Sequence, residues 1–187
     1  MEIKNLKIIK VNGFTLIEMI AAMVLVAIIV PGISLIVRGT LMNIAFTNIA
    51  LQANMDADFA QRKFALHLDG TSSFTNGTLN DTTLKFTSGF NGSTYEFQIR
   101  SATRSISYKK ASGALGLLLQ NVVVDTTIGE TNYKSKFVYK DQKNQTLESP
   151  TNETIYGVEL TFYLARGDNS FYPYTTYVVL DKNSLNI

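Results

Sequence analysis

The chain has 187 residues, and 45% of them are hydrophobic. It has a formal net charge of +2, one histidine and no cysteine. The lack of cysteine excludes structural disulfides and thiolate metal sites, and a single histidine argues against histidine-based catalytic or metal centres. The small net charge is unlike that of a strongly basic nucleic-acid-binding protein.

Residues 1–13 form a short basic leader. Its three lysines, Lys4, Lys7 and Lys10, and its one acidic residue, Glu2, account for the whole net charge, because the rest of the chain balances 14 basic against 14 acidic side chains. Basic residues beside an apolar segment tend to stay on the cytoplasmic side of a membrane. The leader is therefore predicted to lie in the cytoplasm, and the C-terminal part of the chain outside it.

Residues 14–37 form an apolar run in which Glu18 is the one ionisable side chain. As a helix this run extends about 36 Å, more than the roughly 30 Å of a bilayer's hydrocarbon core. No small-residue cleavage site follows it in residues 36–40, so the run is expected to remain as a transmembrane helix. Pro31 and Gly32 interrupt the run and are predicted to kink or loosen it.

Residues 38–69 are amphipathic, which predicts that the same helix continues to about Leu68 and ends at Asp69 and Gly70. The large apolar residues of this half fall close to one helical face, which is predicted to pack on a globular domain. These residues are Leu41, Ile44, Ala45, Leu51, Met55, Phe59 and Leu66.

Residues 70–187 are predicted to form a β-rich head domain, with a polar loop over residues 141–153. Short runs with alternating or β-branched character predict strands separated by turn signals such as Asn76-Gly77 and Asn91-Gly92. The predicted strands are 83–87, 95–100, 103–108, 115–124, 133–140, 158–164 and 174–181. No helical stretch separates them, so the fold class is predicted to be α+β, with a long N-terminal helix packed on a mainly antiparallel sheet.

Glu18 needs an explanation because a lone carboxylate in an apolar segment is costly. Thr15 and Glu18 have the spacing of a capping box, in which each side chain satisfies a backbone N–H of the other at a helix start. A negative side chain also suits the helix dipole there. Capping accounts for Glu18 alone and leaves open why Gly13 and Phe14 join this box to a basic leader.

The hexapeptide Gly13-Phe14-Thr15-Leu16-Ile17-Glu18, with its leader and apolar helix, resembles the class III signal of type IV pilins and type II secretion pseudopilins. The resemblance implies that a prepilin peptidase cuts between Gly13 and Phe14 and N-methylates Phe14. It also implies that Glu18 pairs with the N-terminal amine of a neighbouring subunit. Pro31 lies about four residues before the family's common proline position. The fold implied is the pilin fold.

The C-terminal pattern is similar to that of J-type minor pseudopilins and PilW-like minor pilins, in residues 155–164 and in the stretch Phe171-Tyr172-Pro173-Tyr174. The cysteine pair that closes a loop in many Gram-negative major pilins is absent. A minor pilin, a pseudopilin and a pilin of a Gram-positive organism all remain open. So does the machine that uses the subunit, whether for secretion, DNA uptake, adhesion or motility.

Two basic runs are candidates for a DNA-binding face like that of competence pilins. One contains Arg100 and Arg104, and the other contains Lys134 and Lys136. Lysines that alternate on an exposed strand more often form a solvated or edge-protecting face, and the balanced charge argues against DNA as a partner.

Scattered carboxylates at Asp125, Glu130, Asp168 and Asp181 are candidate calcium ligands, but no calcium-binding loop motif is present, and no cofactor is expected. The aromatic residues 171, 172, 174 and 177 are predicted to form a contact surface or to pack in the core. Five N-x-S/T sequons, at asparagines 76, 80, 91, 144 and 152, are interpreted as loop composition. His67 is expected to be a surface or sheet-facing residue.

Nothing in the chain resembles a nucleophile motif, so the protein is not expected to be an enzyme. The sequence instead favours a structural subunit of a type IV pilus-like filament. Its expected partners are other pilin or pseudopilin subunits, prepilin peptidase, the assembly platform of the cytoplasmic membrane and, before assembly, the bilayer. The alternative is a membrane-tethered extracytoplasmic binding domain that never polymerises.

Overall fold

The computed structural model describes residues 13–75, 77–111, 113–166 and 170–181. Residues 1–12 of the leader, Asn76 of the first turn signal and the candidate calcium ligand Asp168 lie outside the described residues. The chain divides into two compact units, Met1–Phe46 and Thr47–Ile187. Helix α1 (Leu16–Leu68) supplies the described secondary structure of the first unit, and its residues from Thr47 onward belong to the second.

The described part of the second unit also contains eleven strands. In chain order they are β1 (Thr71–Phe74), β2 (Thr83–Ser88), β3 (Thr94–Arg100), β4 (Ser105–Lys110), β5 (Gly116–Leu119), β6 (Val122–Val123), β7 (Asp125–Ile128), β8 (Thr131–Lys134), β9 (Lys136–Lys140), β10 (Gly157–Arg166) and β11 (Ser170–Val179). The polar segment between β9 and β10 has no strand of its own, as predicted for a loop, although Lys140 forms an isolated bridge with Thr146.

The strands form three antiparallel sheets. Sheet 1 has the order β1-β2-β3-β4-β5, and sheet 2 has the order β11-β10-β6, with β9 pairing β10 beside β6. Strands β7 and β8 form a separate hairpin. A long helix with antiparallel sheets is the predicted α+β arrangement, which is therefore confirmed.

Two strands follow their sequence pattern closely. In β3 the buried residues are Tyr95, Phe97 and Ile99, and in β10 they are Val158, Leu160, Phe162 and Leu164. Both sets come from the alternation of apolar and polar residues, because successive side chains of a strand point to opposite faces of the sheet. These two strands therefore supply much of the core on which α1 packs.

Strands β10 and β11 form the longest pairing, with ten paired residues from Gly157 opposite Val179 to Arg166 opposite Ser170. The ring of Tyr177 lies over Gly157, where a side-chain carbon on that residue would collide with it. Among the aromatic residues of β11, Tyr174 packs in the core and stacks on Phe162 at a centroid distance of 5.4 Å. Tyr172 and Tyr177 are each 42% exposed, so only part of this aromatic stretch serves the core.

The predicted central strand over residues 115–124 is wrong. The segment is divided between an edge strand of sheet 1, β5, and a two-residue strand of sheet 2, β6. Asn121 between them has a left-handed backbone with φ of 59°, which no extended strand accommodates. Its backbone carbonyl accepts a hydrogen bond from the Ala165 N–H of β10 at 3.5 Å. The apolar run therefore contributes first to sheet 1, through β5, and then to sheet 2, through β6.

The predicted strand over residues 133–140 is also interrupted, at Ser135, which separates β8 from β9 and is fully buried. Its hydroxyl donates to the carbonyl of Val123 and accepts from the N–H of Tyr163 at 3.1 Å. Strand β10 changes partners near this point, because β9 pairs it as far as Thr161 and β6 pairs it from Tyr163. The Ser135 hydroxyl therefore satisfies two backbone groups at the junction.

The prediction of which face of α1 packs on the domain is wrong for the part of the helix in the second unit. Leu51, Met55, Phe59 and Leu66 are between 55% and 72% exposed. The residues that are fully buried against the sheets are Ala57, Ala60, Phe64 and Leu68. The two alanines allow the helix backbone to approach the sheets closely, so packing selected small residues, whereas the sequence pattern emphasised large ones.

Polar contacts also hold the second unit together. On α1, the Gln61 side chain donates to the Thr175 carbonyl of β11 at 3.1 Å, and the Tyr174 hydroxyl donates to Asn54 Oδ1 at 2.5 Å. The Tyr139 hydroxyl of β9 donates to the carbonyls of Asn80 and Thr83, each at 3.1 Å. The last contact ties sheet 2 to the start of β2 in sheet 1.

We expect Ser135→Ala to lower the free energy of unfolding by about 1–3 kcal/mol, because it leaves the Tyr163 N–H and the Val123 carbonyl without their buried partner. Urea denaturation of the full chain in detergent micelles, followed by tyrosine fluorescence, measures the change. Ser101→Ala is the control, since Ser101 is exposed. Equal midpoints for the two variants would show that the junction does not depend on the Ser135 hydroxyl.

Candidate functional site

The start of α1 has the geometry of a capping box. Glu18 Oε2 accepts from the Thr15 N–H and from the Thr15 hydroxyl, both at 3.1 Å. In return, the Glu18 N–H donates to Thr15 Oγ1 at 3.3 Å. Thr15 and Glu18 therefore satisfy backbone donors that a helix start leaves unpaired. In this single chain the Glu18 carboxylate is engaged by Thr15, as the capping hypothesis predicts.

The two residues before the box are open to solvent. Phe14 is 85% exposed, and the position of a side-chain carbon on Gly13 has no heavy atom within 4 Å. The peptide bond between Gly13 and Phe14 is therefore not covered by described parts of the first unit. A protease that binds an extended segment needs this kind of access.

The first part of α1 presents apolar side chains all round. From Leu16 to Val37 every large apolar side chain is between 50% and 80% exposed. The helix is long and apolar enough to cross a membrane. An all-apolar helix without protein packing requires lipid or other helices around it, so this part of the helix is suited to membrane anchoring.

Pro31 and Gly32 lie inside α1, which continues through both residues. Proline has no N–H, so it cannot donate to the carbonyl of Ala27 one turn earlier. Gly32 has open space where a side chain would be. The kink predicted at these residues stays a prediction, with one missing helix hydrogen bond as its physical basis.

A second apolar surface lies on α1 within the second unit. We call it the helix stripe and define it as Leu51, Met55, Phe59 and Leu66, which are 55%, 66%, 58% and 72% exposed. Spacings of four, four and seven residues place them on one face of the helix. The sequence pattern predicts these residues to form one face, but it predicts that this face packs on the domain.

The candidate basic residues have different surroundings. Lys134 Nζ lies 2.6 Å from Asp81 Oδ2, and this hydrogen-bonded carboxylate raises the pKa of Lys134. Lys136 is exposed in β9, and Arg100 and Arg104 are exposed at the β3–β4 turn. Because Asp81 offsets the charge of Lys134, this position contributes less to a positive surface than the sequence indicates. A DNA-binding face stays a prediction.

The candidate calcium ligands are not assembled in the described part of the chain. No group of three or more histidine, cysteine, aspartate or glutamate residues there has the arrangement of a metal site. Asp125 begins β7 and Glu130 lies in the β7–β8 turn, whereas Asp181 follows β11. Calcium binding has no further support in the described residues.

His67 stacks over two neighbouring tyrosines of sheet 1. Its ring centroid lies 4.6 Å from that of Tyr95 and 5.2 Å from that of Tyr108, while Lys63 Nζ is 4.3 Å from the Tyr108 centroid. Burial lowers the pKa of His67, and the positive charges of Lys63 and Lys110 lower it further. The neutral imidazole is therefore the form that suits the folded domain. The expected sheet-facing position is confirmed, whereas the stacking was not foreseen.

Comparison with known proteins identifies the N-terminal segment. Residues 9–30 match the family described as the prokaryotic N-terminal methylation motif. This motif is the class III signal of type IV pilins, so the chain has the N-terminus of a pilin-like precursor and the resemblance is confirmed over these residues. No curated protein and no solved structure matches the chain.

We expect acidification to destabilise the folded chain partly through His67. The unfolded chain takes up a proton near the ordinary pKa of about 6.5, whereas the folded chain resists protonation until lower pH. The stability is therefore fully present above about pH 6.5 and is lost as the pH falls towards the lower folded-state pKa. Because the ring is partly exposed and solvent screens the nearby lysines, the loss of stability should stay below about 1 kcal/mol.

The comparison is between the native chain and His67→Gln, with urea midpoints measured from pH 7.5 to pH 5.5 in the same detergent. The native chain should lose more stability than the variant over this interval. Parallel midpoints in the two proteins would assign the acid sensitivity to other groups.

Proposed function

We propose that the protein is a structural subunit of a type IV pilus-like filament, acting as a minor pilin or pseudopilin. The observation that carries the proposal is the methylation motif at residues 9–30, which leads directly into an apolar helix with exposed side chains on all sides. A subunit that is first held in lipid and later packed among other helices needs such a helix in both states. The motif points to a structural role, not an enzymatic one.

Processing would begin at the exposed segment before α1. A prepilin peptidase would cut between Gly13 and Phe14 and methylate the new amine of Phe14. The open surroundings of Gly13 and the 85% exposure of Phe14 support access to this bond. Methylation leaves the amine positively charged, so the mature subunit begins with a cation four residues before the Glu18 carboxylate.

In the membrane, the subunit would cross once, with the leader in the cytoplasm and the β-rich domain outside. The lysines of the leader support this orientation through the positive-inside rule. The apolar surface between Leu16 and Val37 would then face lipid until the subunit moves into the filament. There the same side chains would contact the helices of neighbouring subunits.

Glu18 would change partners during assembly. In the single chain its carboxylate contacts Thr15. In a bundle of apolar helices, an amine and a carboxylate are each costly alone and offset one another when paired. Glu18 would therefore leave the capping box, wholly or in part, to pair with the Phe14 amine of a neighbouring subunit.

The variants Glu18→Ala and Thr15→Val separate capping from pairing. Glu18→Ala should be cleaved and retained in the membrane but should enter filaments at least about tenfold less, since an unpaired amine in the bundle costs more than about 1.4 kcal/mol. Thr15→Val removes the capping hydroxyl, which contributes about 1 kcal/mol to the helix start, and leaves the carboxylate in place. It should therefore still assemble.

Quantitative immunoblotting of sheared filaments against membrane-retained subunits gives the measurement. If both variants assemble as well as the native chain, Glu18 has no pairing role. If the native chain itself is absent from sheared filaments, the chain is better described as a tethered domain that does not polymerise. If both fail equally, capping alone explains why assembly requires Glu18.

The helix stripe would supply a second contact with a neighbouring subunit. We expect the double variant Met55→Gln/Phe59→Gln to reduce assembly several-fold while leaving the free energy of unfolding within about 0.5 kcal/mol of native, since both side chains are exposed. The control is Asp58→Gln/Arg62→Gln, which removes an exposed ion pair of 2.8 Å from the same helix. Normal assembly of the stripe variant would leave the stripe without a role in the filament.

A further inference from the structure

The edge strands of the two larger sheets differ in how well they are protected against pairing with a further strand. On β11, Pro173 lacks an N–H, and the Gln61 side chain donates a hydrogen bond to the Thr175 carbonyl. On β1, the Phe74 N–H donates to Asn152 Oδ1 at 2.8 Å. Proline and side-chain caps of this kind prevent further strands from pairing with a sheet edge.

Strand β5 is the last strand of sheet 1 and has no such protection. Its four residues, Gly116–Leu119, include neither a charge nor a proline. In the described part of the chain no side chain forms a hydrogen bond with the β5 backbone, and Leu117 is 57% exposed. An uncapped apolar edge presents a row of backbone donors and acceptors that suits one more strand.

A groove runs beside this edge. Its first part, about 250 Å³, lies between Asp56 of α1 and residues 117–120. A larger cavity of about 470 Å³ shares Asp56, Leu119 and Gln120 with it and extends to β10. We call the two together the β5 groove, and all of its lining residues belong to the second unit. An extended segment that paired with β5 would lie in this space.

The chemistry of the lining fits a polypeptide. Apolar contact comes from Ala53, Leu119 and Leu164, while Asn48, Gln52, Gln120 and Asn121 bring side-chain amides to the walls. An amide both donates and accepts hydrogen bonds, as does a peptide backbone. Asp56 is the one ionisable residue in the lining of either cavity. Its Oδ1 accepts a hydrogen bond from Gln52 Nε2 at 2.8 Å.

We propose that the β5 groove binds an extended segment of a partner protein, which adds a sixth strand to sheet 1 and places a lysine or arginine near Asp56. Main-chain hydrogen bonds to β5 provide the affinity of this mode, and side-chain pockets provide its specificity. The negative charge of Asp56 sets the sign of the side chain that faces it. The proposal concerns the head domain and does not depend on filament assembly.

Three synthetic peptides test it on the full chain in detergent micelles. The first is a fluorescein-labelled peptide of alternating threonine and valine with a central lysine, the second has glutamate at that position, and the third has N-methylated backbone amides along one edge. Fluorescence anisotropy should show that the lysine peptide binds about fivefold more tightly than the glutamate peptide. The N-methylated peptide should bind at least about tenfold more weakly, because it cannot pair with a strand.

Two variants assign the site. Asp56→Lys should reverse the preference between lysine and glutamate peptides, while Asp58→Lys, which changes an exposed carboxylate outside the groove, should keep the native preference. Amide hydrogen exchange should slow at Gly116–Leu119 when the lysine peptide is bound, and less so elsewhere in sheet 1.

Equal binding of all three peptides, or an unchanged preference in Asp56→Lys, would overturn the proposal. So would protection of Gly116–Leu119 that depends on protein concentration and needs no peptide, because the occupant of the edge would then be a second copy of this chain.

Discussion

The large apolar side chains of α1 between Leu16 and Val37 have no protein partner among the described residues of the chain, and the other features of the molecule depend on this constraint. Water is a poor environment for such a surface, so the helix is stable only in lipid or among other apolar helices. Glu18 and the amine that would form at Phe14 place charge at the start of this surface. Lipid or a helical bundle accepts these charges only when they are paired or capped.

The second unit solves a different packing problem, in which one helix serves two sheets. Phe64 lies at its centre, with its ring 5.5 Å from that of Phe97 in sheet 1 and 6.0 Å from that of Phe137 in sheet 2. Ala57 and Ala60 keep the helix close enough for both contacts. The side of the helix that faces away from the sheets is left apolar at the helix stripe. The same element therefore stabilises the second unit and leaves an apolar surface exposed.

The sequence predicted the helix, the antiparallel character of the sheets and the strands β3 and β10, because each of these follows from a strong local period. It did not predict which face of the helix packs, since alanines carry little weight in a hydrophobic pattern even where close approach requires them. It also joined β5 to β6, because Asn121 gives no apolar signal and its left-handed backbone becomes evident only in the structure. Short polar strands such as β1 and β7 lack any periodic signal.

The motif around Gly13 to Glu18 could be predicted from the sequence together with its capping geometry, because both depend on residues that are close together in the chain. The β5 groove could not, because its lining comes from α1, from the β5–β6 turn and from β10, which are far apart in the chain. Whether a strand edge is capped depends on contacts such as that of Gln61 with Thr175, separated by 114 residues. Only the folded chain distinguishes a protected edge from an open one.

The position of Gly157 under the Tyr177 ring affects the register in which β10 and β11 pair during folding. In a hairpin, a slip of two residues keeps every side chain on its own face, so the hydrophobic pattern alone does not prevent it. In β10 such a slip would bring Glu159 beneath the Tyr177 ring, where Gly157 now lies, and it would move Tyr163 away from the Ser135 hydroxyl. A missing side chain and a single hydroxyl thus give the correct alignment of the longest hairpin an energetic advantage over its nearest misaligned forms.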